Sequence, residues 1–248
     1  MSDGLRAGLR GVAPQLATAG RLVFGAAAIV AASRGDLFTA AAFITWGGVL
    51  DGVDGWIARM LRATSPFGAL FDYFCDYVCF VLAPWMLARA MLVRDGSASW
   101  LQETLLVVPL MTSAIRYARN GMTLLATPGD APDLPGLGTV FMAFVCVDAV
   151  FLDARALLDD PAFAVVLNAF ILTFSLMMLA PIRYPKLTRF SGASPAVLVL
   201  LAIMPFAATG ILAWVMLVVG VLYAVAAPAL ALRQAAHLKS PISSSELT

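Results

Sequence analysis

Four aspartates carry the chemistry open to this sequence. Asp51 and Asp54 are spaced i,i+3, and Asp72 and Asp76 are spaced i,i+4, so each pair occupies one helix face. All four fall inside or at the ends of strongly apolar stretches, where an unpaired charge costs at least about 2.5–3.5 kcal/mol. From Asp51 the helix runs on to Arg59 and the chain turns through Arg62-Ala63-Thr64-Ser65-Pro66. Asp72 and Asp76 follow a turn or two past Gly68, at a depth where the two pairs can meet. Converging carboxylates cannot all stay ionised unless protons or cations lie between them. An oxygen-only ligand set, without histidine or thiolate, suits hard divalent ions, Mg2+ or Mn2+ rather than zinc or copper, and such ions usually hold phosphate oxygens as well. On spacing alone two other readings stand beside this one: carboxylates buried against intramembrane arginines, and a proton or ion pathway through a transporter.

The neighbours of the aspartates are small. Gly55 and Ala58 stand on the helix of Asp54, and Gly68 stands on the next, so backbone or ligand can approach closely; ordinary helix packing explains each of them taken alone. Arg59, one turn beyond Gly55, is placed for a phosphate or an acidic side chain, or for plain anchoring at the membrane surface.

The elements that must position these residues are set by composition. Of 248 residues, 61% are hydrophobic and 12% charged, with a mean hydropathy of +0.90. Soluble chains carry about 25% charged residues, so a soluble enzyme is nearly excluded. The net charge of +1 supplies no field for nucleic acid. Cys75, Cys79 and Cys146 lie in apolar runs and form no CxxC, and the single histidine, His237, lies in a polar tail, which leaves histidine triads and zinc cages without material.

A helix crossing about 30 Å of hydrocarbon needs about 20 apolar residues. Such stretches lie near residues 15–33, 37–61, 67–94, 98–120, 135–153, 161–180, 195–210 and 211–232, the last two divided by Pro205 and Gly210. With both termini in the cytoplasm, Arg6, Arg10, Arg21, Arg59, Arg62, Arg116, Arg119, Arg183, Lys186, Arg189, Arg233 and Lys239 fall inside, and only Arg34, Arg89, Arg94 and Arg155 fall outside. This satisfies the positive-inside rule. A cleaved signal peptide ending at Ala31-Ala32-Ser33 is the alternative for the first stretch. Thr127 to Gly138 reads as a cytoplasmic loop and Ser240 to Thr248 as a disordered tail. The expected fold is all-α: a polytopic integral membrane helical bundle of about eight transmembrane helices around a cytoplasm-facing polar cavity, in a single domain over residues 1–248.

As one string, Asp51-x-x-Asp54-Gly55-x-x-Ala58-Arg59, eight residues, Gly68-x-x-x-Asp72-x-x-x-Asp76 resembles the CDP-alcohol phosphotransferase signature at every fixed position. The resemblance implies an integral membrane enzyme that transfers a phosphatidyl group from CDP-diacylglycerol, or a related group from another CDP-alcohol, onto an alcohol, with CMP leaving. It implies that Asp51, Asp54, Asp72 and Asp76 hold two divalent metals against the pyrophosphate. On the same likeness Gly55, Ala58, Arg59 and Gly68 shape the cytidine nucleotide pocket, and Asp76 is the general base. Pro14 to Arg21 is similar to the family's PNxLTxxR/N opening, with Gln15 for Asn and Ala17 for Leu; by that likeness Thr18 and Arg21 approach the nucleotide, a first-helix anchor being the other reading.

For the acceptor, Ala63-Thr64-Ser65-Pro66-Phe67-Gly68 with Ala83-Pro84 resembles the phosphatidylserine synthase branch, as do Ile115 to Asn120, the loop Pro132 to Gly138, and Tyr184-Pro185-Lys186-Leu187. Tyr73 stands where that branch usually has Ser, and Asp76-Tyr77 is closer to the phosphatidylcholine synthase pattern. L-Serine is the acceptor this favours, ahead of choline, a glycerol phosphate or an inositol derivative. Arg116 and Arg119, i,i+3 on one helix face, could receive serine's carboxylate or a lipid phosphate, or serve as positive-inside anchors. The resemblance also implies a bacterial inner membrane and contact with membrane lipids; whether the chain forms a homodimer is left open by the sequence.

Overall fold

The computed structural model describes residues 3–61, 66–93, 99–126, 135–182, 184, 213–215 and 217–226. Among them the elements are helical throughout, in the order α1 (Asp3–Ser33), α2 (Leu37–Leu61), α3 (Pro66–Tyr77), a π-helical turn (Val78–Leu82), α4 (Ala83–Leu92), α5 (Trp100–Leu105), α6 (Val107–Ala126), α7 (Thr139–Phe151), α8 (Ala154–Leu157) and α9 (Asp160–Leu179). Residues 213–215 and 217–226 are also helical.

Among the described residues, two helical stretches are long and apolar enough to cross a membrane, Phe67–Leu92 and Pro161–Leu179. Shorter apolar helices run over Thr18–Ser33, Leu37–Val53, Thr139–Phe151 and Ala213–Ala226. The stretch 195–210, the ends of the last stretch and the tail from Ser240 lie outside the described residues.

α1 and α2 form a tight antiparallel hairpin. Gly35 takes the left-handed conformation (φ 77°) that ends α1, donating to the Ala32 carbonyl at 3.0 Å. Asp36 then starts α2 by accepting from the Thr39 N–H at 3.1 Å. Small residues face each other across the hairpin: Ala28, Ala31 and Ala32 of α1 and Ala40 and Ala41 of α2 are all buried, which lets the backbones approach.

The third apolar stretch enters this hairpin at close range. A side chain at Gly25 would stand 3.0 Å from the Cys79 Cα, and one at Gly47 would meet the Cys79 sulfur. These two glycines therefore set how near α1 and α2 come to the π-helical turn. That turn has its own sequence cause. Pro84 cannot donate to a carbonyl four residues back and its ring would strike it, so the ladder loosens ahead of the proline; the Ala83 N–H reaches back five residues to the Val78 carbonyl. Helix runs from Pro66 to Leu92 with this one change of winding, just after Asp76.

The expected crossing at 98–120 is two helices. Ser99 and Gln102 form a reciprocal capping box for α5, and α6 begins anew with Pro109 in its first turn, where a missing N–H breaks no bond. α6 continues to Ala126, almost to the expected loop. The end of that loop is pinned, with the Gly136 N–H on the Ile182 carbonyl at 2.8 Å and the Leu137 N–H on the Met177 carbonyl at 3.1 Å. Gly136 (φ 92°) lies so near the Met178 carbonyl that a β-carbon there would strike it. Phe80, Leu87, Met91, Met142, Val147 and Met178 fill the centre of the bundle.

Candidate functional site

The acidic residues of α2 and α3 converge. Carboxylate oxygens of Asp51, Asp72 and Asp76 lie within 4.8 Å of one another. Asp51 comes from α2, whereas Asp72 and Asp76 lie one turn apart on the face of α3 turned toward it, as the i,i+4 spacing requires. Asp54, Gly55, Ala58 and Arg59 continue α2 beyond Asp51, and their side-chain surroundings lie outside the described residues. Gly68 sits half-buried one turn before Asp72.

The positive charge that such a cluster requires is supplied from α1. The Arg21 guanidinium pairs with all three carboxylates: Nη1 with Asp51 and, at 2.8 Å, with Asp76; Nη2 with Asp72, whose main-chain carbonyl lies 3.5 Å away. Its planar fork is suited to several oxygens at once. The Arg21 side chain is wholly sealed (0% exposed), whereas those of Asp51 and Asp72 are 39% and 38% exposed and that of Asp76 19%. The cluster therefore has a closed side, held by the guanidinium, and an open side. Thr18 is buried one turn earlier on α1. The pairing of carboxylates with a buried arginine, an alternative to metal binding on spacing alone, is thus present in the fold. The donor set still suits a hard divalent ion: three carboxylates, no nitrogen or sulfur ligand among them, open on one side.

Next to the cluster lies a group of tyrosines that spacing did not single out. Tyr73 and Tyr77 each follow one of the aspartates of α3, and their rings stand 5.4 and 6.0 Å from that of Tyr117 on α6. The Tyr77 hydroxyl donates to the Leu110 carbonyl at 3.2 Å, and Tyr117 shares a 2.7 Å hydrogen bond with Thr139. The available signal was a tyrosine immediately after each aspartate, on the helix side that turns toward α6. Asp148, on α7, is a further buried carboxylate that sequence reasoning passed over; its two oxygens lack hydrogen-bond partners among the described residues.

Arg116 and Arg119 are divided by the structure. Arg119 donates to the Pro135 carbonyl at 2.8 Å and approaches the Met178 and Leu179 carbonyls at 3.4 and 3.5 Å, so it ties α6 to the loop before α7 and to the end of α9. Arg116 lies 5.8 Å from the Tyr117 ring centre and makes no ion pair among the described residues. The shared helix face thus gives one arginine spent on main-chain carbonyls and one turned toward the tyrosines.

Residues 11–147, more than half of the chain, match the family model described as CDP-alcohol phosphatidyltransferase. The chain belongs to the CDP-alcohol phosphatidyltransferase family. This family assignment makes it a transferase and answers the transporter alternative. Members generally use a divalent metal, and the Asp51, Asp72 and Asp76 cluster lies inside the matched region. Among CDP-alcohol phosphatidyltransferases, the chain is 28% identical over 173 residues to the CDP-diacylglycerol–serine O-phosphatidyltransferase of Helicobacter pylori (strain ATCC 700392 / 26695), covering 70% of this chain and 71% of the relative. The protein of the same name from strain J99 matches to the same extent. That of Bacillus subtilis (strain 168) is 40% identical over 75 residues, 30% of this chain and 42% of the relative.

Proposed function

We propose that this transferase moves the phosphatidyl group of CDP-diacylglycerol onto the hydroxyl of L-serine and releases CMP, as one step of phospholipid biosynthesis. The observation that carries the reading is the convergence of Asp51, Asp72 and Asp76 on one open-sided cluster within the family-matched region. Serine is favoured by the names of the relatives and by Arg116, which makes no ion pair among the described residues and stands over Tyr117, the ring that Tyr73 and Tyr77 pack against.

In this reading Asp51, Asp54, Asp72 and Asp76 hold two Mg2+ or Mn2+ ions. Bound there, the ions supply the positive charge that offsets the pyrophosphate of the donor and the negative charge growing on departing CMP. Thr18, Gly55, Ala58, Arg59 and Gly68 border the cytidine nucleotide, with small residues where its backbone must come close. Arg116 orients the acceptor by its carboxylate. Asp76 accepts the proton of the serine hydroxyl as that oxygen bonds to the phosphorus next to diacylglycerol; the bond from this phosphorus to the CMP oxygen breaks, and CMP leaves with the electron pair.

One domain over residues 1–248, about eight crossings with both termini in the cytoplasm, and a cavity open to the cytoplasmic leaflet of a bacterial inner membrane complete the proposal. The long apolar helices and the distribution of arginines and lysines support it. The test is an acceptor panel: protein purified in detergent, CDP-diacylglycerol, Mg2+ or Mn2+, and serine, choline, glycerol 3-phosphate or inositol in separate reactions. Phosphatidylserine and CMP should form together, only with serine and only with metal. A different lipid product would reassign the acceptor.

A further inference from the structure

Within that reading, the position of Arg21 points to a role beyond contact with nucleotide. A divalent ion at this cluster must take oxygens from Asp51, Asp72 and Asp76, and the same three carboxylates are engaged by the guanidinium. Both are cations, and in a sealed setting their mutual repulsion is poorly screened. Metal that arrives alone therefore weakens the pairs of Arg21 and gains a positive neighbour. Metal that arrives with a nucleotide diphosphate brings anionic oxygens, whose negative charge offsets that repulsion.

We infer that Arg21 is an internal counter-cation that couples metal loading to donor binding: it balances the aspartates while the site waits, and it disfavours metal until a diphosphate is present. The guanidinium holds the cluster from its closed side, while the carboxylates are accessible from the other, so a dication and a diphosphate can come in opposite the arginine without first unpacking α1. Close packing at Gly20, where a β-carbon would stand 3.2 Å from the Leu50 side chain, and at Gly25 against Cys79 keeps the α1 backbone in place, which confines the exchange to the Arg21 side chain. The coupling is reciprocal, so metal must tighten diphosphate binding by the same factor. Arg21 is a positioning residue here, acting through the aspartates.

The experiment is Mn2+ binding to the full chain in detergent, followed by electron paramagnetic resonance of free Mn2+, with and without CDP. In the unmodified protein CDP should tighten Mn2+ binding by about tenfold or more. Arg21→Gln should bind Mn2+ about tenfold more tightly than the unmodified protein when CDP is absent, and CDP should then change its affinity less than threefold. Arg21→Lys keeps the charge, and should keep the coupling; it also serves where Arg21→Gln fails to fold. Weaker or unchanged Mn2+ binding by Arg21→Gln without CDP, or loss of coupling in Arg21→Lys, overturns the inference and leaves the metal-dependent transferase intact. No Mn2+ binding by the unmodified protein, with or without CDP, would instead overturn the metal site itself.

Discussion

Two arginine-centred regions lie side by side in this bundle and use the same side chain in opposite ways. At the α1–α2–α3 junction Arg21 is surrounded by the carboxylates of Asp51, Asp72 and Asp76, drawn from two other helices. On α6, Arg119 is spent on the carbonyls of Pro135, Met178 and Leu179, while Arg116 has an aromatic ring for company. Main-chain carbonyls at a helix end are fixed dipoles that no ligand will claim, so a cation satisfied by them is part of the scaffold. Carboxylates are what a divalent ion seeks, so a cation satisfied by them sits in a place where exchange is possible. Identical residue types thus divide into scaffold and site by the nature of their partners.

The largest test of this contrast is Asp76→Asn. As general base Asp76 should be worth about 10²–10⁴ in turnover, so kcat should fall by that much and by more than the binding of CDP weakens; a loss below tenfold would remove Asp76 from the base role. Arg116→Gln comes next. Its expected effect is a rise of about 10–100-fold in KM for the acceptor, the equivalent of one hydrogen bond to a charged group, with the melting curve unchanged. Should the melting temperature fall and the acceptor KM hold, Arg116 belongs with the scaffold.

Arg119→Ala should show the reverse pattern. Losing its bond to Pro135 should cost about 1.5–3 kcal/mol of stability, seen in thermal unfolding, with acceptor KM in the surviving protein near its original value. A selective rise in KM at full stability would make Arg119 a ligand for substrate. The smallest effect sharpens how the acidic region is held. Gly47→Ala puts a methyl group against the Cys79 sulfur and should cost about 1–3 kcal/mol as overpacking. Adding Cys79→Ala should return part of that stability, and strict additivity of the two changes would show that the contact does not set the helix spacing.

Much of the site was legible as a string, because the chemistry required it. Carboxylates in apolar sequence are costly enough to mark themselves, and i,i+3 and i,i+4 spacings place them on helix faces without any knowledge of packing. The positions of Asp51, Asp72 and Asp76, the all-helical character and the small residues around them follow from such local rules. Arg21 was legible as a nucleotide neighbour or a first-helix anchor, but not as the partner of these aspartates. Its partners are thirty, fifty-one and fifty-five residues away, and no periodicity links α1 to them. The division between Arg116 and Arg119 was equally hidden, since one helix face reads alike for both and only the approach of Pro135, Met178 and Leu179 separates them.

Sequence by itself determined that the chain is helical and apolar, and that each pair of aspartates occupies one face of its own helix. All of this follows from residue type and from offsets shorter than a few helical turns. Tertiary structure decided which cation stands among the carboxylates, which arginine is bound into the scaffold, and how closely Gly25 and Gly47 admit the π-helical turn. These depend on distances between helices remote in sequence, and such distances are set by the mutual fit of side chains across the bundle, a quantity that no single segment contains.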